Sequence, residues 1–161
     1  MYNRRDGANA GQGGQMQKLR IAALAAATLV AINAGHAEEA RHRLAIQVDQ
    51  ADPAIMNLAL NNARNVKKYY AGKGESVAIE IVAFGPGLEM YVADKSPVKD
   101  RISSMSLEDP EITFSACANT HAALNKKEGH EVPLVEEAKE VPSGVVRLME
   151  LQEKGYSYVR P

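Results

Sequence analysis

From residue 43 onward, apolar and polar positions fall into short blocks whose periods switch between two and 3.6. Arg43-Leu44-Ala45-Ile46-Gln47-Val48 is rich in β-forming residues and stops at Asp49, which predicts a first strand. Asp52-Pro53 is an N-cap followed by proline at the first helical position, so a helix starts there and runs to about Tyr70, where Gly72 and Gly74 end it. Along it Ile55, Leu58, Ala59, Asn62, Val66 and Tyr69 recur at helical spacing, predicting a core-facing stripe with one amide inside it. Val77–Phe84 is apolar on both faces apart from Glu80, the pattern of a strand buried in a parallel sheet, and it stops at Gly85-Pro86-Gly87.

A short amphipathic stretch (Leu88–Val92) follows, and Ser96-Pro97 predicts the start of a helix that ends near Met105. Ile112–Ala116 reads as a third strand leading straight into Cys117 and a helix over Ala118–Lys126. Lys126–Lys139 is charged and predicts a loop with a partial turn of helix; Glu140-Val141 is a short fourth strand. Pro142-Ser143 caps a helix over Gly144–Lys154 that Gly155 closes, and Tyr156–Val159 alternates like a last strand at or near an edge. Strands alternating with helices imply right-handed crossovers and a sheet covered on both faces.

The N-terminal segment has a different grammar. Ile21–Ala34 is an unbroken apolar run of 14 residues, preceded by Lys18 and Arg20 and followed by Gly35-His36-Ala37, with small residues at the −3 and −1 positions of a cut after Ala37. That is a three-part secretory signal, and it is shorter than the roughly 20 apolar residues of a spanning helix, so removal is expected rather than anchoring. A start at Met16 would give a compact signal beginning MQKLR, and Arg4-Arg5 lies too far from the apolar run to read as a twin-arginine signal. Residues 1–37 are therefore expected to be a signal peptide and residues 38–161 one α/β domain, periplasmic or secreted, with no stable membrane span after processing.

Composition narrows the chemistry. The 161 residues carry 19 Lys+Arg against 20 Asp+Glu, which offers no basic excess for nucleic acid or an anionic membrane. Removal of 1–37 takes away four basic residues and one acidic, leaving 15 against 19 and a formal charge of −4. The one cysteine, Cys117, excludes an intramolecular disulfide and any multi-thiolate metal site. In an oxidising compartment a lone thiol is buried, paired between chains or kept reactive.

In an open parallel sheet, ligands bind beyond the carboxyl ends of the strands. Asp49 and Gln50, then Gly85, Pro86 and Gly87, then Cys117, Asn119 and Thr120, then Ser143 and Gly144 occupy those positions. A thiol at a strand-to-helix junction meets unpaired N–H groups and the positive end of the helix dipole, both of which favour thiolate. Asn119, Thr120 and nearby N–H groups could hold a second sulfur or a small anion against it; the alternative is a small, inert core residue. His121, four residues on, shares the helix face and is a candidate auxiliary group, either as an imidazolium partner or as half of a metal site. Two ligands do not make such a site, so no metal is expected. His42 and His130 have no partners at ligand spacing. Gly85-Pro86-Gly87 fits neither GxGxxG nor GxxxxGK[ST] and reads as a tight turn or a wall of the thiol pocket. No Ser/His/Asp order, HExxH or GxSxG occurs, which removes hydrolase and metalloprotease readings. Asn62 is a candidate for the crevice or a subunit interface.

The segments HRLAIQVDQADPAIMNLALNNARNVKKYY, IEIVAFGPGLEMYVAD, FSACANT and VPSGVVRLMELQEKGYSYVRP together resemble the DsrE/DsrF-like proteins of intracellular sulfur oxidation and sulfur relay, especially their small exported members. The resemblance spans His42 to Pro161. It implies a flavodoxin-resembling, three-layer α/β/α domain with a mainly parallel five-stranded sheet that forms homo-oligomers. It also implies that Cys117 carries sulfane sulfur as a persulfide between donor and acceptor proteins or small thiols, with no metal or organic cofactor. Relay members act in the cytoplasm beside partner subunits, whereas this chain carries an export signal; the family also includes members without the cysteine, so the likeness fixes fold better than function. Two readings follow: an exported sulfur carrier with Asn119, Thr120, Gly85, Pro86, Gly87 and Ser143 around Cys117, or a non-enzymatic oligomeric binding module with a structural Cys117 and a small-anion or protein ligand.

Overall fold

The computed structural model describes residues 40–161; the apolar run 21–34 and the cleavage point at Ala37 lie outside them. Strands β1 (His42–Val48), β2 (Val77–Ala83), β3 (Ile112–Cys117), β4 (Ala138–Val141) and β5 (Ser157–Val159) form one sheet in the order β4-β3-β2-β1-β5. Every pairing is parallel, and β1 matches β2 residue for residue from His42 with Val77 to Val48 with Ala83. Helices α1 (Pro53–Ala71), α2 (Lys99–Glu108), α3 (Ala118–Glu128) and α4 (Gly144–Glu153) link consecutive strands, with a 3₁₀ helix over Gly85–Tyr91 after β2.

Strand order sets the layers. From β1 to β4 each step moves the same way across the sheet, so right-handed crossovers put α1, α2 and α3 on one face. The step from β4 back to β5 runs the other way and puts α4 alone on the opposite face, completing a three-layer α/β/α arrangement. The larger core lies on the first face, where Leu44, Ile46, Ile79, Ile81 and Phe114 meet Met56, Leu60, Ile102 and Met105. On the second, Leu148 and Leu151 of α4 pack on Ala45 and Val82. Residues Ala40–Pro161 make one compact unit, and none of the described helices is long and apolar enough to cross a membrane.

Several boundaries and faces differ from the sequence expectation. Asp52 caps α1 as predicted, its Oδ1 accepting the Ala54 N–H at 2.8 Å, but the buried face is Met56, Ala59, Leu60 and Ala63, while Leu58 and Tyr69 are exposed. The true stripe lies about 100° round the helix from the predicted one, a single residue step. The two faces are comparably apolar, and the one without the Asn62 amide is buried, because an amide in the core needs partners. Ser96 makes a turn rather than a helix cap, its hydroxyl donating to the Met90 carbonyl, and α2 begins at Lys99. The third helix continues to Glu128, where Gly129 closes it at φ +77°; Val132 and Val135 in the charged segment that follows are buried.

The turn after β2 is built into the core. A Cβ on Gly87 would lie 2.2 Å from the Val48 carbonyl oxygen, so only glycine lets the 3₁₀ helix lie against the end of β1. Tyr91 closes that helix from the other side, fully buried, its hydroxyl donating to the Ile81 carbonyl at 2.8 Å. Burial raises its phenol pKa well above the ordinary value.

Candidate functional site

Strands β3 and β4 are neighbours, yet α3 leaves β3 toward one face and α4 leaves β4 toward the other. That is a topological switch point, the place where an open parallel sheet forms its crevice. Cys117 is the last residue of β3 and the N-cap of α3. In β3 the side chains of Ile112, Phe114 and Ala116 enter the larger core, so by alternation Thr113, Ser115 and Cys117 face α4.

The sulfur therefore meets two helix N-termini. Burial works against its ionisation, Cys117 being 5% exposed, but hydrogen bonding from the Thr120 hydroxyl and the N–H groups of Gly144, Thr120 and Asn119 outweighs it and holds the pKa below the ordinary value. Gly144 can approach because it has no side chain: a Cβ there would sit 2.8 Å from the Phe84 ring. Thr120 Oγ1 accepts the Gly85 N–H at 3.0 Å, which leaves the hydroxyl proton to point at sulfur. Gly85 offers that N–H from a left-handed turn, φ +54°.

One turn into α4, Arg147 ties the helix to the sheet. Its Nε and one terminal nitrogen donate to the two Glu80 carboxylate oxygens, each at 2.7 Å, and the Ser115 hydroxyl donates to Oε1 at 2.6 Å. Glu80 is buried in the central strand β2, so its charge is compensated by this fork and the hydroxyl. Arg147 lies three residues from Gly144 and Ser115 two from Cys117, so the pair couples the elements that carry the two halves of the thiol pocket.

No protein-family model matches the chain, and no curated protein matches it. Among solved structures the chain is similar to a protein of unknown function, MTH1491 from Methanobacterium thermoautotrophicum, with 28% sequence identity and a TM-score of 0.62. The match covers 74% of this chain and 99% of that one. The likeness agrees with the three-layer fold and brings no activity with it.

Of the residues singled out from sequence, Cys117, Asn119, Thr120 and Gly85 come together, Asn119 through its N–H rather than its amide. Pro86 lies in the first turn of the 3₁₀ helix, and Gly87 serves packing against Val48 rather than the thiol. Ser143 caps α4, its hydroxyl accepting the Val146 N–H, while the neighbouring Gly144 is the residue that faces sulfur. Asn62 is half-buried nine residues into α1, about 13 Å of helix from the strand ends, and does not belong to the crevice. His121 turns to other partners: Nδ1 is 2.7 Å from Glu140 Oε1 and Nε2 is 2.7 Å from the Val132 carbonyl. A carbonyl only accepts, so Nε2 carries a proton, and the carboxylate favours one on Nδ1. Burial opposes the charged ring, but the Glu140 carboxylate and the Val132 carbonyl outweigh it and raise the His121 pKa. No group of three or more His, Cys, Asp or Glu side chains fit to hold a metal occurs among the described residues.

Sequence reasoning passed over Arg147 and left Glu80 as an exception in an apolar strand. That exception was the signal, since a carboxylate in a doubly covered strand requires a cation brought by the layer above it.

Proposed function

We propose that the chain is an exported, DsrE-like sulfur carrier that holds sulfane sulfur as a persulfide on Cys117 and passes it to an acceptor thiol. The observation that carries this reading is the place of Cys117, buried at the sheet's switch point where β3 passes into α3, among backbone N–H groups and the Thr120 hydroxyl that favour its thiolate. The Cys117 thiolate attacks the outer sulfur of a donor persulfide; the donor's S–S bond breaks, the donor leaves as thiolate, and a persulfide remains on Cys117. An acceptor thiolate then attacks that outer sulfur and restores the Cys117 thiolate. The exchange is redox-neutral, and donors aimed at thiolate also suit the terminal anion of a persulfide.

Export rests on the signal-like segment 1–37. Assembly into a homo-oligomer is supported by α4, which covers its sheet face alone and leaves Val145, Val146 and Met149 about half exposed on its outer side. The 5% exposure of Cys117 favours a second reading, a binding module in which the thiol is structural.

Intact-protein mass spectrometry before and after polysulfide treatment, with Cys117→Ser alongside, decides between them. A carrier gains a reducible sulfur that the variant does not. A reduced, folded protein that gains none is the binding module.

A further inference from the structure

At the amino ends of β1 and β5, the opposite end of the parallel sheet from Cys117, lies a cavity of about 500 Å³, within the size range of small-molecule sites. Strand order leaves room for it: α1 spans β1 to β2, so β5, at the edge beyond β1, has no helix above it on that face among the described residues. Leu44 and Val66 give the cavity apolar lining, and three rings stand around it. Tyr70 is stacked on His42, with centroids 3.7 Å apart and planes within 19°, and Glu75 Oε2 holds that imidazole 2.8 Å from Nε2. Tyr69 meets Tyr70 edge to face, 5.2 Å between centroids and 79° between planes, and is 58% exposed. Two rings at a near right angle suit a flat ligand ring, which lies face-on to one and edge-on to the other. Arg41 and Arg43 also line the cavity, whereas no Asp or Glu is among the described residues that do. Arg43 is anchored by Nη1 to the Lys154 carbonyl at 2.8 Å. Arg41 reaches Glu75 with Nη1 at 3.1 Å, and its side chain is 71% exposed, so the rest of the guanidinium fork is open to an acidic group.

We infer that this cavity binds a planar aromatic acid, its ring against Tyr69 and Tyr70 and its anionic group on Arg41. The inference stands apart from the carrier reading, since the cavity lies at the other end of the sheet and involves no thiol chemistry. Ring and charge are both required: the rings alone would take any flat apolar molecule, and an exposed guanidinium alone holds an anion weakly.

Three probes separate these parts. At neutral pH 2-naphthoate carries ring and charge, 2-naphthol the ring alone, and cyclohexanecarboxylate the charge alone. Each is titrated into the purified protein labelled with nitrogen-15 and followed by amide NMR, which reads the affinity and the place of binding together. The expected result is a saturable shift of the amides around Arg41, Tyr69 and Gly155 with 2-naphthoate, at a Kd below about 1 mM, and binding at least about tenfold weaker for the other two probes. Arg41→Ala and Tyr69→Ala, both at exposed positions, are each expected to weaken 2-naphthoate by about fivefold or more while amides far from the cavity keep their wild-type positions. The absence of a saturable shift with 2-naphthoate, shifts centred away from the cavity, or equal affinities for the three probes overturns the assignment. So does an Arg41→Ala/Tyr69→Ala protein that binds 2-naphthoate as wild type does.

Discussion

Replacing Arg147 with methionine tests the link between α4 and the thiol pocket. Glu80 receives two hydrogen bonds from Arg147 and one from Ser115, and the variant leaves only the last. Removing one partner of a buried ion pair costs about 3–5 kcal/mol, because the remaining charge stays desolvated. The Arg147 side chain is 27% exposed, so water can reach part of the vacated space, and Ser115 still donates; the lower end, about 3 kcal/mol, is expected. For a domain of this size that lowers Tm by about 10 °C, read by circular dichroism with urea titration to give the free energy. Replacing both partners, Glu80→Leu with Arg147→Met, removes the stranded charge and restores most of the loss. The single variant also loosens the α4 N-terminus, so Gly144 donates less well to sulfur and the pH midpoint of Cys117 alkylation rises. A single variant within about 0.5 kcal/mol of wild type, or a double variant no more stable than the single, refutes the reasoning.

Thr120→Val removes the hydroxyl donor to Cys117 and strands the Gly85 N–H, so the alkylation midpoint moves up toward that of a free thiol while Thr120→Ser holds it; equal midpoints for the two variants contradict the assigned hydrogen bond. His121→Gln destabilises the protein by about 1–2 kcal/mol at pH 5.5, the worth of hydrogen bonds to a charged ring beside a half-exposed Glu140. Because the folded pKa of His121 is raised, this contribution is full below the unfolded value of about 6.5 and disappears as pH rises through the folded one. Urea titrations that give the same difference at pH 5.5 and pH 9 exclude a charged His121.

The strands and helices were legible because their signals are local. Asp52-Pro53, Gly72 and Ser143 act on the few residues beside them, and four of the five strands stand out as β-rich runs between turn residues. The choice of buried face on α1 was not local: Leu58 and Leu60 are equally apolar, and the sheet beneath selects Leu60. The thiol itself was placed at the right strand end, with the neighbours that α3 supplies. Its contact with Gly144 depends on the order β4-β3-β2-β1-β5, which brings the N-terminus of a helix 27 residues away to the same sulfur. His121 failed for the same reason in reverse, since helical spacing places it under Cys117 while the buried Val132 carbonyl and the Glu140 carboxylate claim its ring.

That strand order explains why the sulfur has so many donors. A thiol at the start of one helix meets the free N–H groups of that helix alone, and burial then competes with them on nearly equal terms. Here the next strand in sequence is also the next in space, and its helix departs to the opposite face, so two sets of free N–H groups face each other across one strand gap of about 4.8 Å. Glycine at 144 leaves room for the second set, and the Arg147 fork on Glu80 ties its helix to the sheet. The same closeness leaves Cys117 5% exposed, so a reacting partner must reach it past the N-termini of α3 and α4.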